Sequence, residues 1–235
     1  MNFRSKKDIL FLVLTGFFIT NALVAEMIGG KLIQIGVFTQ SVGILPWPVV
    51  FLATDLTNEY FGKRGVRIIT FVTIGLIAYT FLLLWLSMQI PAVGYSPISQ
   101  DAFNMVFGTG MYMIVGSLIA FTVSQLTDVF VFWVIRDKTG SNHIWLRATG
   151  STVVAQLIDT FIVQFVAFVI PGVWTIDEFL KNATFGYVFK LGIALVLIPA
   201  IYVVHALIDR YLGEKEAEAM IHRTAEKELG HHTED

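Results

Sequence analysis

Long apolar runs separated by short polar segments account for most of the chain. A helix that crosses the hydrocarbon core of a bilayer needs about 20 consecutive, mostly apolar residues. Six runs reach that length or come close to it. The pattern therefore predicts an all-α integral membrane protein with six transmembrane helices, at residues 9–27, 42–61, 68–90, 107–135, 148–170 and 184–208.

The first two runs contain irregular features. Three basic residues precede the first run, which gives it the layout of a secretory signal peptide. Leu23 is a poor residue before a cleavage site, however, and five further runs follow, so we interpret this run as a retained helix. The second run contains Pro46 and Pro48. A broken helix is tolerated inside a membrane where protein or water surrounds it, which predicts that this segment does not face lipid.

The basic residues predict the orientation of the chain in the membrane. Thirteen of the 16 lysines and arginines lie in the N-terminal arm, the second and fourth connections, and the C-terminal tail. These segments fall on one side of the predicted topology, so the positive-inside rule places both termini in the cytoplasm. Residues 1–212 form the predicted transmembrane domain. Residues 213–235 form a tail whose mixed charges at helical spacing predict a solvated cytoplasmic helix.

Composition narrows the range of functions. The chain of 235 residues is 55% hydrophobic and 14% charged, with a mean hydropathy of +0.71. Soluble domains carry about 25% charged residues, so this composition excludes most cytoplasmic enzymes, secreted disulfide scaffolds and nucleic-acid-binding proteins. The absence of cysteine excludes disulfides, thiolate metal sites and a cysteine nucleophile. The sequence also lacks the motifs of zinc proteases, serine hydrolases and nucleotide-binding loops. These exclusions leave transport or channel activity, without a cofactor, rather than an enzyme.

Polar residues inside the predicted spans indicate where a substrate binds. Such groups are costly in lipid and usually face the interior of a helix bundle. Counting about 1.5 Å per residue from the nearest cytoplasmic basic residue places one set in a band roughly 12 to 21 Å deep. We predict that this band binds the substrate and that no lysine or arginine lies at its depth. The set consists of Asn21, Asp55, Gln125, Asp128, Gln156 and Asp159, and Asn58, which lies close beside Asp55 on the same helix, is a further candidate for substrate binding.

A second set of polar residues lies outside that band. The same count places Glu26, Gln164 and Lys190 at roughly 25 to 30 Å. Glu26 and Lys190 are candidates for an ion pair, which either ties two helices together or forms an extracellular gate. Nearer the cytoplasm, Glu59 and His205 are candidates for a coupling site. A surface salt-bridge network and an ordinary interface histidine are the alternative interpretations of these two residues.

Three segments resemble a known transporter family. They are TDLTNEYFGKRGVR at 54–67, SQLTDVFVFWVIR at 124–136 and WLRATGSTVVAQLIDTFIVQF at 145–165. With the six runs, the chain resembles the queuosine precursor transporter (YhhQ or VUT) family over residues 9–211. The resemblance implies uptake of 7-cyano-7-deazaguanine, and of its 7-aminomethyl analogue, for queuosine synthesis in tRNA. It also implies a fold like that of the substrate-binding membrane subunits of energy-coupling-factor vitamin transporters.

The implied substrate has chemistry that suits the polar band. A deazaguanine presents a ring N–H beside an amino group, which a carboxylate accepts together, and an oxygen that an amide N–H satisfies. We therefore expect Asp55, Asp128 or Asp159 to bind the donor edge, and one of the amides to bind the oxygen or the cyano group. Wild-type uptake by both Asp128→Asn and Gln125→Ala would contradict this site.

Three modes of transport remain open from the sequence. The chain is a substrate-binding subunit that requires a separate ATPase module, or a proton-coupled carrier with Glu59, Asp159 or His205 as the proton site, or a carrier for facilitated diffusion. The expected partners are the lipid bilayer and a small deazapurine, with no nucleic acid. Homo-oligomer formation also remains open.

Overall fold

Apolar helices make up most of the structure. The computed structural model describes residues 5–139, 144–196 and 198–230. A short 3₁₀ turn lies at Val42–Ile44, and a π-helical turn at Phe165–Val169 follows the fourth helix. The main elements are α1 (Lys6–Ile28), β1 (Leu32–Ile35), β2 (Phe38–Ser41), α2 (Trp47–Gln89), α3 (Gln100–Thr139), α4 (Ile144–Gln164), α5 (Ile176–Val196), α6 (Ile198–Leu212) and α7 (Glu214–Gly230).

Several helices have the length and composition of membrane spans. Among the described residues, Lys6–Ile28, Arg64–Gln89 and Gln100–Ala120 are long and apolar enough to cross a bilayer. Val153–Val169 is also apolar but shorter. These stretches correspond to the first, third, fourth and fifth predicted runs, which confirms a mostly helical membrane protein. The number of six spans stays a prediction.

A β-hairpin corrects the all-α prediction. Strands β1 and β2 pair antiparallel, with Leu32 opposite Ser41 and Ile35 opposite Phe38. Gly36 in the turn has a φ of 61°. Glycine adopts this left-handed conformation without the steric cost that a side chain adds. The local signal was an alternating, β-branched segment around a short glycine turn. Residues 28–41 form no run of membrane-spanning length, and the prediction therefore left them as a connection.

The boundaries of two predicted spans also differ in the structure. The second and third runs belong to one element, α2, in which Gly62 interrupts the helix with φ 67° and ψ −175°. In the sixth run, α5 ends at Val196 and α6 begins at Ile198, and residue 197 between them lies outside the described residues.

The chain forms two compact units. The first contains the described parts of Met1–Ala25, Gly43–Tyr79 and Gly192–Asp235. The second contains the described parts of Glu26–Val42 and Thr80–Leu191.

The first unit packs the C-terminal helix against α1, α2 and α6. The predicted tail helix is present as α7, but it is not solvated on all sides, because Ala217 and Met220 are buried. Lys7 forms an ion pair with Glu216 at 3.1 Å, which adds to the contact between α1 and α7. Charge spacing alone did not reveal this apolar face. The buried cluster is formed by Leu10, Leu14, Leu56, Tyr60, Ile208, Leu212, Ala217 and Met220.

In the second unit, the hairpin is bound to α5. The Asn182 side-chain oxygen accepts a hydrogen bond from the Thr39 backbone N–H at 2.9 Å. The Gln40 amide donates to the Asn182 carbonyl at 2.7 Å. The rings of Phe38 and Phe185 stack with centroids 4.2 Å apart. These contacts fix β2 against the first half of α5.

A capping box begins helix α5. The Glu178 carboxylate accepts hydrogen bonds from the Thr175 backbone N–H and hydroxyl, each at 2.8 Å. The Glu178 N–H donates in return to the Thr175 hydroxyl at 3.3 Å. This reciprocal pattern satisfies donors that have no partner within the helix. The hydrogen bonds from Thr175 lower the pKa of Glu178 below its usual value.

Candidate functional site

A group of polar side chains lies inside the second unit, contributed by α1, α3, α4 and α5. Lys190 Nζ lies 3.4 Å from Asp159 Oδ2 and 3.2 Å from Thr160 Oγ1. The Lys190 side chain is only 14% exposed and that of Asp159 is 29% exposed. The ion pair is therefore largely removed from solvent. We call Glu26, Ser117, Asp159, Thr160 and Lys190 the polar cluster.

Glu26 brings the end of α1 into this cluster. Its side chain is 5% exposed. Its Oε1 accepts a hydrogen bond from the Ser117 hydroxyl of α3 at 2.5 Å. Its Oε2 is buried and has no hydrogen-bond partner among the residues that the structure describes. The carboxyl group interacts electrostatically with both Asp159 and Lys190.

Two glutamine amides lie one helical turn away from the ion pair. Gln164 follows Thr160 by four residues on α4, and Gly186 precedes Lys190 by four residues on α5, so each pair shares one helix face. A Cβ atom at Gly186 would lie 2.7 Å from Gln164 Nε2 and 2.9 Å from Gln40 Oε1. A side chain at this position would have to displace the ends of both amide side chains. Gln164 Oε1 is buried, and within the described part of the chain it accepts no hydrogen bond.

The composition of the cluster determines which ligands it can bind. It contains two carboxylates and one lysine, so its formal charge is negative when all three are ionised. Buried acceptors without donors favour a ligand that carries N–H groups, because an unsatisfied buried acceptor costs about 1–3 kcal/mol. An anion would add repulsion. Among the described residues no group of three or more His, Asp or Glu side chains could hold a metal ion.

The structure corrects the predicted depths. Asp159 was placed in a band without a basic residue, and Lys190 in a separate outer set, yet the two form an ion pair. The count assumed straight helices perpendicular to the membrane and ignored the length of the lysine side chain, which can bring its charge to another depth. Lys190 contacts α4 through Asp159 and Thr160. The predicted partners Glu26 and Lys190 interact electrostatically, and they belong to one cluster with Asp159 in which Ser117 donates to Glu26.

The remaining predicted binding residues fall into three groups. Asn21, Asp55 and Asn58 belong to the first unit, and the Asn21 amide donates to the Phe17 carbonyl of its own helix at 2.8 Å. Asp55 and Asn58 are exposed. Gln156 is half-buried on α4, one turn before Thr160. The backbone of Gln125 and Asp128 belongs to α3, but their side chains lie outside those that the structure describes.

The two predicted coupling residues of the first unit lie in one network. His205 Nδ1 is 3.0 Å from Asp209 Oδ2, and His205 Nε2 is 3.7 Å from Glu59 Oε1. The Tyr60 hydroxyl donates to Asp209 Oδ1 at 2.7 Å. Sequence reasoning missed Tyr60 and Asp209. The sequence contained an indication of both residues in their positions, because Asp209 follows His205 by four residues and Tyr60 is adjacent to Glu59.

Comparison with known proteins gives consistent matches. Residues 41–204 match a family model described as "Putative vitamin uptake transporter". A Bacillus subtilis (strain 168) protein named "Probable queuosine precursor transporter" is 34% identical over 180 residues, 76% of this chain and 77% of that protein. The "Queuosine precursor transporter" of Escherichia coli (strain K12) is 28% identical over 76% of this chain and 79% of that protein. A Haemophilus influenzae protein named "Probable queuosine precursor transporter" is 33% identical over 74% of this chain and 72% of that protein. No solved structure matches the chain.

The family match covers the greater part of the chain. It includes α4 and α5, which carry Asp159, Thr160 and Lys190. The apolar helices agree with a multi-pass protein of a bacterial membrane, and the relatives are named as transporters rather than enzymes. The chain therefore belongs to the family of putative vitamin uptake transporters and is a membrane transporter, not an enzyme.

Proposed function

We propose that this protein imports queuosine precursors, chiefly 7-cyano-7-deazaguanine and also its 7-aminomethyl analogue, across the bacterial inner membrane for queuosine synthesis in tRNA. The names of three relatives support the substrate class. The observation that carries the proposal is the polar cluster of the second unit. Its buried acceptors suit a planar heterocycle rich in N–H donors.

We place the substrate at the polar cluster. Asp159 was among the binding residues predicted from sequence, and its ion pair with Lys190 holds the carboxylate in one position. A group held in this way loses little further freedom when a ligand binds, which favours affinity. The Gln156 and Gln164 amides lie on the same helix and have the chemistry to donate to the ring oxygen or the cyano group.

Transport by the purified chain tests this function. We expect liposomes that contain it to accumulate labelled 7-cyano-7-deazaguanine down its gradient without ATP or an added ATPase. Asp159→Asn should lower uptake by at least about tenfold, because it weakens a hydrogen bond to a charged group. Asp101→Asn makes the same change at an exposed position in the first turn of α3 and serves as the control.

Three results of that assay would revise the proposal. Uptake that requires an added ATPase module would favour a substrate-binding subunit. Uptake that stops when the proton gradient is collapsed would favour a proton-coupled carrier, for which the His205 network is the candidate site. Wild-type uptake by Asp159→Asn, at an equal amount of reconstituted protein, would remove Asp159 from the binding site.

We also propose that both termini lie in the cytoplasm, because most basic residues fall in segments of one predicted side. The chain has no cysteine, so one introduced cysteine reports its own accessibility. Tyr95, 90% exposed between α2 and α3, and Lys215, exposed on α7, are suitable positions. In spheroplasts, a membrane-impermeant maleimide should label Tyr95→Cys and not Lys215→Cys. The opposite labelling pattern would reverse the topology.

A further inference from the structure

Glu26 is a buried carboxylate whose second oxygen has no donor. The side chain lies at the end of α1 and is 5% exposed. Ser117 donates to Oε1, whereas Oε2 has no hydrogen-bond partner among the described residues. Native proteins rarely leave a carboxyl oxygen buried in this way, because the loss of water is not compensated. A donor supplied by a ligand would provide the compensation.

The neighbouring charges restrict the nature of that ligand. Asp159 repels the Glu26 carboxylate and Lys190 attracts it. Lys190 also lies within 3.4 Å of Asp159 Oδ2, so one cation serves two carboxylates. A ligand that brings adjacent N–H groups lowers the electrostatic cost of the site, whereas an anionic ligand raises it. The site therefore favours a neutral or cationic ring with a donor edge.

We infer that Glu26 selects the substrate by accepting hydrogen bonds from adjacent ring N–H and exocyclic amino groups, the edge shared by 2-amino-4-oxo heterocycles fused to a second ring. This inference rests on the proposed function and adds to it the residue that recognises the ring N–H and amino groups of the substrate. A carboxylate has about four acceptor positions, of which the Ser117 hydroxyl occupies one. The remaining positions accept two parallel N–H donors.

Glu26 fits this role better than the aspartates predicted from sequence. Lys190 compensates the charge of Asp159, which leaves Asp159 for a second contact with the substrate rather than for the donor edge, and Asp55 is exposed in the first unit. Glu26 is the more deeply buried carboxylate of the polar cluster, and it retains an oxygen for a ligand. Because the donor edge lies on the six-membered ring, Glu26 does not contact the substituent at position 7 of the second ring. The cyano and aminomethyl precursors should therefore depend on Glu26 to the same extent.

Competition against labelled 7-cyano-7-deazaguanine in liposomes tests the inference. The unlabelled competitors are the same compound and its analogue without the exocyclic amino group. For the wild-type protein we expect the analogue to compete at least about 100-fold more weakly, because a site built for a donor rejects a ligand that lacks it. In Glu26→Gln the difference should fall below about tenfold, since the amide offers one acceptor and turns a donor toward the substrate amine.

The control is Glu218→Gln, the same change at an exposed position of α7, which should keep the full preference. Equal competition by the two compounds in the wild-type protein would overturn the inference without any variant, so the test holds even when Glu26→Gln fails to fold. Full preference in Glu26→Gln would also overturn it. If the wild-type protein takes up no deazaguanine at all, the proposed function itself fails, which is a distinct outcome.

Discussion

Replacing Lys190 with methionine is expected to lower the free energy of unfolding by about 3–5 kcal/mol and to abolish uptake. Lys190 is the base that the structure places against Asp159, at 3.4 Å, and it also attracts Glu26. Its loss leaves two carboxylates in one largely buried cluster. Methionine keeps the apolar length of the side chain, so packing changes little and the effect reports the charge. Thermal unfolding in detergent measures the change.

Two further variants separate the causes of this loss. Lys181→Met is the matched control, because Lys181 is exposed on the same helix, and it should unfold as the wild-type protein does. The double variant Lys190→Met with Asp159→Leu removes the ion pair as a whole. Such replacements are often neutral for stability, so it should regain thermal stability but not uptake. A Lys190→Met protein that unfolds at the wild-type temperature would contradict an ion pair in the folded protein.

Replacing Gly116 with leucine is expected to separate α3 from α4 and to remove most of the protein from the membrane. A Cβ atom at Gly116 would lie 3.2 Å from the Val163 carbonyl oxygen and 3.3 Å from Val166 Cβ. The backbone of α4 cannot yield without moving the whole helix. Even one extra methyl in a tight contact costs about 1–3 kcal/mol, and leucine adds four carbons. The amount of protein in the membrane and its thermal unfolding are the measurements.

Gly108→Leu provides the comparison for this variant. Gly108 lies on the same helix, and no neighbouring atom approaches its Cβ position within 4 Å. It should therefore accumulate and unfold nearly as the wild-type protein does. Equal behaviour of the two leucine variants would contradict the close packing of α3 on α4. Val163 lies between Thr160 and Gln164, so a displaced α4 should also disrupt the polar cluster.

Much of the local structure follows from short stretches of sequence. The run at 68–90 is helical because its residues prefer lipid to water and the run is long enough to cross a bilayer. The start of α5 follows from Thr175 and Glu178, three residues apart. The β-hairpin at Leu32–Ser41 was missed, although its alternation and glycine turn are local signals. A search for apolar runs of membrane-spanning length does not detect strands of four residues.

The contacts of the candidate site do not follow from local sequence. Glu26 and Ser117 are 91 residues apart, and Lys190 and Asp159 are 31 apart. Counting residues along each helix placed Lys190 and Asp159 at different depths in the membrane. Such a count includes neither the tilt of a helix nor the length of an extended side chain. The apolar face of α7 was missed for a similar reason. The apolar residues of α7 are recognised as a buried face only when the folded structure shows that α1, α2 and α6 cover them.

The sequence by itself determined that this chain is a helical membrane protein, that it resembles queuosine precursor transporters, and that Glu26, Asp159 and Lys190 are unusual in an apolar environment. Each of these conclusions depends on the solvation preference of single residues or on short motifs. The tertiary structure alone decided that Lys190 pairs with Asp159, that Ser117 holds Glu26, and that Gly186 leaves room for two amides. Those contacts depend on how separate helices are oriented against one another, which packing over the whole unit determines.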